Sequence, residues 1–110
     1  MKLPNNNKTI ISRDKLIDYV LSETHTTGKF KAKFFRRFGF NETNVHLLEK
    51  ALLKLAKSQK VESVLSSDYG TKYIIDGEIK APKGKTVRVR TIWIIEKGQS
   101  SPRFVTIYPV

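Results

Sequence analysis

Metal-free cleavage of a phosphodiester needs a base, an acid and positive charge at the phosphorus, and this chain carries side chains of each type. RNA can be cut by its own 2′-hydroxyl, so a protein need only move protons and stabilise charge. His25 is the candidate for proton transfer, because an imidazole titrates near neutral pH. It lies in the loop sequence Ser22-Glu23-Thr24-His25-Thr26-Thr27-Gly28. A capping or solvated loop histidine is the alternative reading. Lys31 interrupts an apolar helical arc, so it either snorkels to water or has an assigned partner, such as a phosphate. Arg103, Thr106 and Tyr108 share the last predicted strand. An arginine can clamp a phosphate with two parallel N–H bonds. A tyrosine can stack a base or donate a proton.

A second group of residues suits binding without chemistry. Lys29, Lys33, Arg36 and Arg37 read as a basic helix face, solvated first and attractive to a nucleic acid second. Arg88 and Arg90 share one face of a strand, which would hold them more rigidly. Trp93 and Phe104 read as core rather than as base platforms. Other site types are missing. The chain has no cysteine, and it contains no GxxxxGK[ST], GxGxxG, HExxH or GxSxG pattern. His25 and His46 stand on different elements, so no metal or cofactor is expected.

The elements that would position these residues can be read from periodicity. Ser12 is a good N-cap, followed by Asp14 in a first turn and the stripe Leu16, Ile17, Val20 and Leu21. A second helix is predicted over about Lys29–Phe38, with Phe30, Phe34, Phe35 and Phe38 on one arc and Gly39 as its stop. A third helix starts at Asn41 and ends near Ser58, burying Val45, Leu48, Ala51, Leu52, Leu55 and Ala56. His46 points away from that face. Beyond residue 60 the period becomes two. Val61–Leu65 reads as a short strand. Thr71–Ile75 and Glu78–Ala81 flank Asp76-Gly77, a hairpin signal. Thr86–Glu96 is the longest strand. In Arg103–Tyr108 the alternation puts Val105 and Ile107 on one face and Phe104, Thr106 and Tyr108 on the other. The expected fold is α+β, with N-terminal helices packed on one face of a four- to five-stranded antiparallel sheet. A single domain over 1–110 is expected, with an arm (1–11), helices (12–58) and a sheet (61–109).

Charge narrows the partner. The 110 residues hold 21 basic and 10 acidic side chains, a net charge of +11. Residues 1–60 carry 13 basic and 5 acidic residues, and 61–110 carry 8 and 5. That excess favours a polyanion, and RNA is the expected partner. No apolar run approaches the roughly 20 residues of a membrane span, and the N-terminus has no secretion signal. No membrane partner is expected, and a cytoplasmic location is.

Several segments in combination resemble an uncharacterised bacterial family, domain of unknown function 6883. They are Leu3-Pro4-Asn5 with Lys15-Leu16, His25-Thr26-Thr27-Gly28-Lys29-Phe30-Lys31-Ala32-Lys33-Phe34-Phe35, Tyr69-Gly70-Thr71-Lys72-Tyr73, Arg90-Thr91-Ile92-Trp93-Ile94 and Pro102-Arg103-Phe104-Val105-Thr106-Ile107-Tyr108-Pro109. The layout is similar to the barnase, EndoU and RelE-like ribonuclease toxins, and Val105-Thr106-Ile107-Tyr108-Pro109 looks like the last strand of EndoU-type toxins. The resemblance implies a small metal-independent ribonuclease, with His25, Lys31, Arg103, Thr106 and Tyr108 as its catalytic positions and an acidic antitoxin or immunity protein as partner. This chain has one candidate histidine where EndoU has two, so either the acid or the base is left without a residue. A non-catalytic nucleic-acid-binding domain and a protein-interaction domain with an acidic partner are the alternatives.

Overall fold

The computed structural model describes residues 1–22 and 29–110. Helix α1 (Arg13–Lys15) begins where the Ser12 hydroxyl accepts the Lys15 N–H at 3.3 Å. It runs on as a π-helical turn over Leu16–Val20, closed by the Leu21 N–H on the Leu16 carbonyl at 2.8 Å. This wider turn brings Leu16, Val20 and Leu21 together into the core.

Helix α2 (Lys29–Arg37) buries Ala32 and Phe35 and half-buries Phe34 and Phe38. Gly39, at φ 102°, ends it in the left-handed conformation. The Phe40 N–H then reaches the Phe35 carbonyl and the Gly39 N–H the Arg36 carbonyl, which satisfies the last turn and drives the Phe40 ring inward. Asn41 caps the following 3-10 turn (Glu42–Asn44) through a capping box. Helix α3 (Val45–Ser58) follows, with Val45, Leu48, Leu52, Leu55 and Ala56 buried.

Four strands form one antiparallel sheet in chain order: β1 (Ser63–Ser67), β2 (Gly70–Lys80), β3 (Thr86–Glu96) and β4 (Arg103–Pro109). The helices precede the sheet, so the α+β expectation holds. The core lies between the helices and the sheet face that carries Ile75, Ile79, Val87, Val89, Trp93, Phe104 and Ile107. Among the described residues, Thr91 is the buried polar one in it. Its hydroxyl donates to the Ile75 carbonyl and accepts the Trp93 indole N–H, each at 2.8 Å, so neither group is left unpaired.

Three strand expectations need correction. Asp76 and Gly77 are not a hairpin turn but the middle of the continuous strand β2, paired with Arg90 and Val89. The turn lies later, where the Ala81 N–H meets the Lys85 carbonyl. Glycine is used at 77 for close approach: a Cβ there would sit 3.1 Å from Leu55 Cδ1 and from Gln59 Cγ on α3. The first strand covers Ser63–Ser67 rather than Val61–Leu65. In β4 the simple alternation fails, because a register irregularity opposite Ile92/Trp93 inserts Val105. Phe104 and Ile107 both face the core as a result, and Thr106 and Tyr108 face away. Among the described residues no helix is long and apolar enough to cross a membrane.

Candidate active site on the outer sheet face

The strand register sorts the side chains that face away from the core into cross-strand rows. Lys72, Ile94 and Arg103 form one; Ile74, Ile92 and Thr106 the next; Asp76, Arg90 and Tyr108 a third; Glu78 and Arg88 a fourth. This face carries Lys72 and Arg103 at one end and Arg90 and Arg88, each opposite a carboxylate, at the other, with isoleucines between.

At the β4 edge of the face, α2 delivers Lys31. Its ammonium donates to the Thr106 hydroxyl at 2.9 Å. It also lies 5.2 Å from the Tyr19 ring centroid and 5.4 Å from that of Tyr108. Both separations fall within cation–π range. The lysine that broke the apolar arc therefore has assigned partners: one hydroxyl and two aromatic rings. Its position follows from the helix. Ala32 and Phe35 anchor α2 in the core, and Lys31, one residue before Ala32, is left half-buried at the edge of the sheet.

Arg90 stands beside Tyr108 in its row. Its Nε and Nη2 donate to the two Asp76 carboxylate oxygens at 2.7 and 2.8 Å, a bidentate pair. That bond lowers the Asp76 pKa below the ordinary carboxylate value and raises the Arg90 pKa further, with Tyr108 adding to the latter. The guanidinium plane is thereby fixed next to the phenol.

Arg103 lies farther along. Three residues from Thr106, it is about 10 Å away by strand rise, and its Nε donates to Glu96 at 2.8 Å. Close by, the Lys15 ammonium reaches the Phe104 carbonyl at 3.4 Å. Burial, and then repulsion from Arg103, lower the Lys15 pKa. Lys31, Thr106, Tyr108 and Arg90 thus form one cluster, and Arg103 of β4 with Lys15 of α1 a second cationic position.

The remaining sequence candidates divide. His25 lies outside the described residues, and so does the side chain of Lys29. Lys33, Arg37 and Arg88 are exposed. Arg36 is not part of a solvated face. Its Nε and Nη2 donate to the Leu21 carbonyl at 3.0 and 2.6 Å, and its guanidinium pairs with Glu42. That hydrogen bond lowers the Glu42 pKa to about 2. Arg36 therefore fastens α2 to the end of the π-helical turn. Sequence reading missed Asp76, Tyr19 and Lys15. Asp76 was hidden by the turn reading of Asp-Gly, and Tyr19 lies off the apolar stripe with nothing local to name its partner.

The sequence profile of the family described as "Domain of unknown function (DUF6883)" matches residues 2–110. The chain belongs to this family. No curated protein matches it. Among solved structures, this chain shares its fold with a chain of the "Contact-dependent growth inhibition toxin - immunity protein complex from Klebsiella pneumoniae 342". The TM-score is 0.73 at 21% sequence identity, over 92% of this chain and 99% of that one. What this DUF6883 chain places on its outer face is a pre-aligned set of cations and hydroxyls. Such a set can hold a phosphate group and move a proton at it.

Proposed function

We propose that this DUF6883 chain is a metal-independent endoribonuclease that acts as a toxin and is neutralised by a partner protein. The observation that carries the reading is the Lys31 ammonium, bonded to the Thr106 hydroxyl and set against the Tyr108 ring at the edge of the outer sheet face. Lys31 and Thr106 would hold the non-bridging phosphate oxygens. His25, six residues before Lys31 in the chain, would take the proton from the attacking 2′-hydroxyl. The 2′-oxygen–phosphorus bond forms and the phosphorus–5′-oxygen bond breaks. Tyr108 would supply the proton to the leaving 5′-oxygen, and Lys31 would steady the phenolate. The products are a 2′,3′-cyclic phosphate and a 5′-hydroxyl. Arg103, Arg88, Lys33 and Arg37 would draw the RNA strand to the face. The toxin–immunity complex named for the structural neighbour supports the partner half of the reading.

The test is incubation of the purified protein with end-labelled RNA in EDTA. Cleavage leaving cyclic-phosphate ends, lost in His25→Ala, supports the reading. Salt-sensitive binding without cleavage would leave only a nucleic-acid-binding domain. With neither binding nor cleavage, the basic surface would serve an acidic protein partner.

A further inference from the structure

The two edges of the sheet are treated differently. The β4 edge is covered by the chain itself. Ile10 bridges to Arg103, the Phe104 N–H donates to the Ile10 carbonyl at 3.0 Å, and Lys15 reaches the Phe104 carbonyl. The β1 edge is bare along Ser63–Ser67, beyond the point where Met1 and Lys2 pair with Val61 and Lys60. Every residue of Ser63–Ser67 is exposed, and among the described strands β1 pairs with β2 alone.

Exposed edges are ordinarily blunted with lysine, proline or a bulge, because an unpaired row of N–H and C=O groups templates another strand. The β1 segment has none of these. Residues 61–69 read Val-Glu-Ser-Val-Leu-Ser-Ser-Asp-Tyr, without one basic residue or proline in a chain that carries 21 basic side chains. Val64, Leu65 and Tyr69 are 45%, 56% and 82% exposed. These are large apolar or aromatic groups left in water along a single short strand.

We propose that the free edge of β1 is a docking strand for a partner protein, which adds a strand with an apolar middle and basic flanks to the sheet. The flanking charges select the occupant. Glu62 and Asp68 bracket the neutral Ser63–Ser67 stretch, so lysine or arginine on either end of an incoming strand would lie opposite a carboxylate. A second copy of this chain is disfavoured by the same charges. Two β1 strands paired antiparallel about Leu65 would place Glu62 of one opposite Asp68 of the other, twice, and like charges directly opposite destabilise a sheet. Each copy also carries a net +11. Backbone hydrogen bonds would give the affinity, and contacts to Val64 and Leu65 the specificity. This edge stands three strands from Thr106, about 14 Å away. The inference does not depend on the ribonuclease reading.

The probe is a displayed library of random nine-residue peptides, selected on the full chain. Enriched peptides should alternate apolar β-branched residues and end in Lys or Arg. They should protect the amides of residues 63–67 from hydrogen exchange, and bind V64K/L65K about tenfold or more weakly. Both substituted side chains already face water, so folding should survive; circular dichroism checks it. E62K/D68K supplies an independent arm, and selection on it should no longer favour basic ends. The proposal is overturned if no strand-like peptide is enriched, if protection falls away from β1, if both variants bind the peptides unchanged, or if sedimentation shows a dimer of the chain that V64K/L65K dissolves.

Discussion

Replacing Gly77 by valine tests the contact that sets helix α3 against the sheet and fixes which face Asp76 occupies. The glycine is not at a left-handed position, so backbone strain does not enter. A Cβ at 77 would lie 3.1 Å from Leu55 Cδ1, 3.3 Å from Leu55 Cγ and 3.1 Å from Gln59 Cγ. Gln59 is exposed and can swing aside, but Leu55 is 3% exposed and cannot. Removing glycine gains about 0.5–1 kcal/mol from reduced freedom of the unfolded chain. Overpacking costs about 1–3 kcal/mol. For Gly77→Ala these nearly cancel, and the change should stay within about 1 kcal/mol of zero. Gly77→Val adds two methyl groups against Leu55 and should destabilise by about 2 kcal/mol. Leu55→Ala alone should cost about 2–4 kcal/mol. In the double variant the new space admits the valine, so the combined loss should fall short of the sum by about 1 kcal/mol or more. Urea denaturation of the four proteins, compared at constant m-value, measures the cycle. Wild-type stability for Gly77→Val, or strict additivity with Leu55→Ala, would refute the close-packing explanation of this glycine.

Other consequences can be measured separately. Asp76→Asn should lower stability at neutral pH, and the gap from wild type should close in acid. The folded-state pKa of Asp76 is depressed, so its contribution is complete above about pH 4 and is lost as pH falls through that lower value; denaturation between pH 7 and 2 follows it. Arg36→Ala should cost about 1–3 kcal/mol, through the charged hydrogen bonds to the Leu21 carbonyl, whereas Arg37→Ala should leave the denaturation midpoint unchanged and weaken RNA binding at low salt. In an NMR titration the Lys15 ammonium should deprotonate below an ordinary lysine; Arg103→Ala should move it only part of the way back, because burial is the larger cause. A full return to the ordinary value would contradict that ranking.

Much of the helical half is legible in the sequence because its signals are local. Ser12 and Asn41 are caps, Gly39 is a stop, and the stripe of α3 repeats at helical spacing. The strands are less legible because their decisive contacts are distant. Asp76-Gly77 carries the local chemistry of a turn, and only Leu55 and Gln59, some twenty residues earlier, explain why the chain stays extended there. The bulge at Val105 leaves no mark in composition, yet it decides that Ile107 faces the core and Thr106 the solvent. At the candidate site, the oddity of Lys31 on an apolar arc was visible, and its partners were not: Thr106 is 75 residues away. Arg36 illustrates the converse. Its position on a basic helix gives no hint that it turns inward to the Leu21 carbonyl.

The most direct test of the Lys31 cluster is the rate of RNA cleavage by Lys31→Met beside the wild type, in EDTA, with folding of both checked by circular dichroism. A pre-aligned cation at a developing phosphorane contributes about a hundred- to a thousandfold in rate. The wild type should cleave and the variant should lose that much in rate, with the denaturation midpoint nearly unchanged. Equal cleavage by the two proteins, or no cleavage by either, would contradict the proposed role of Lys31.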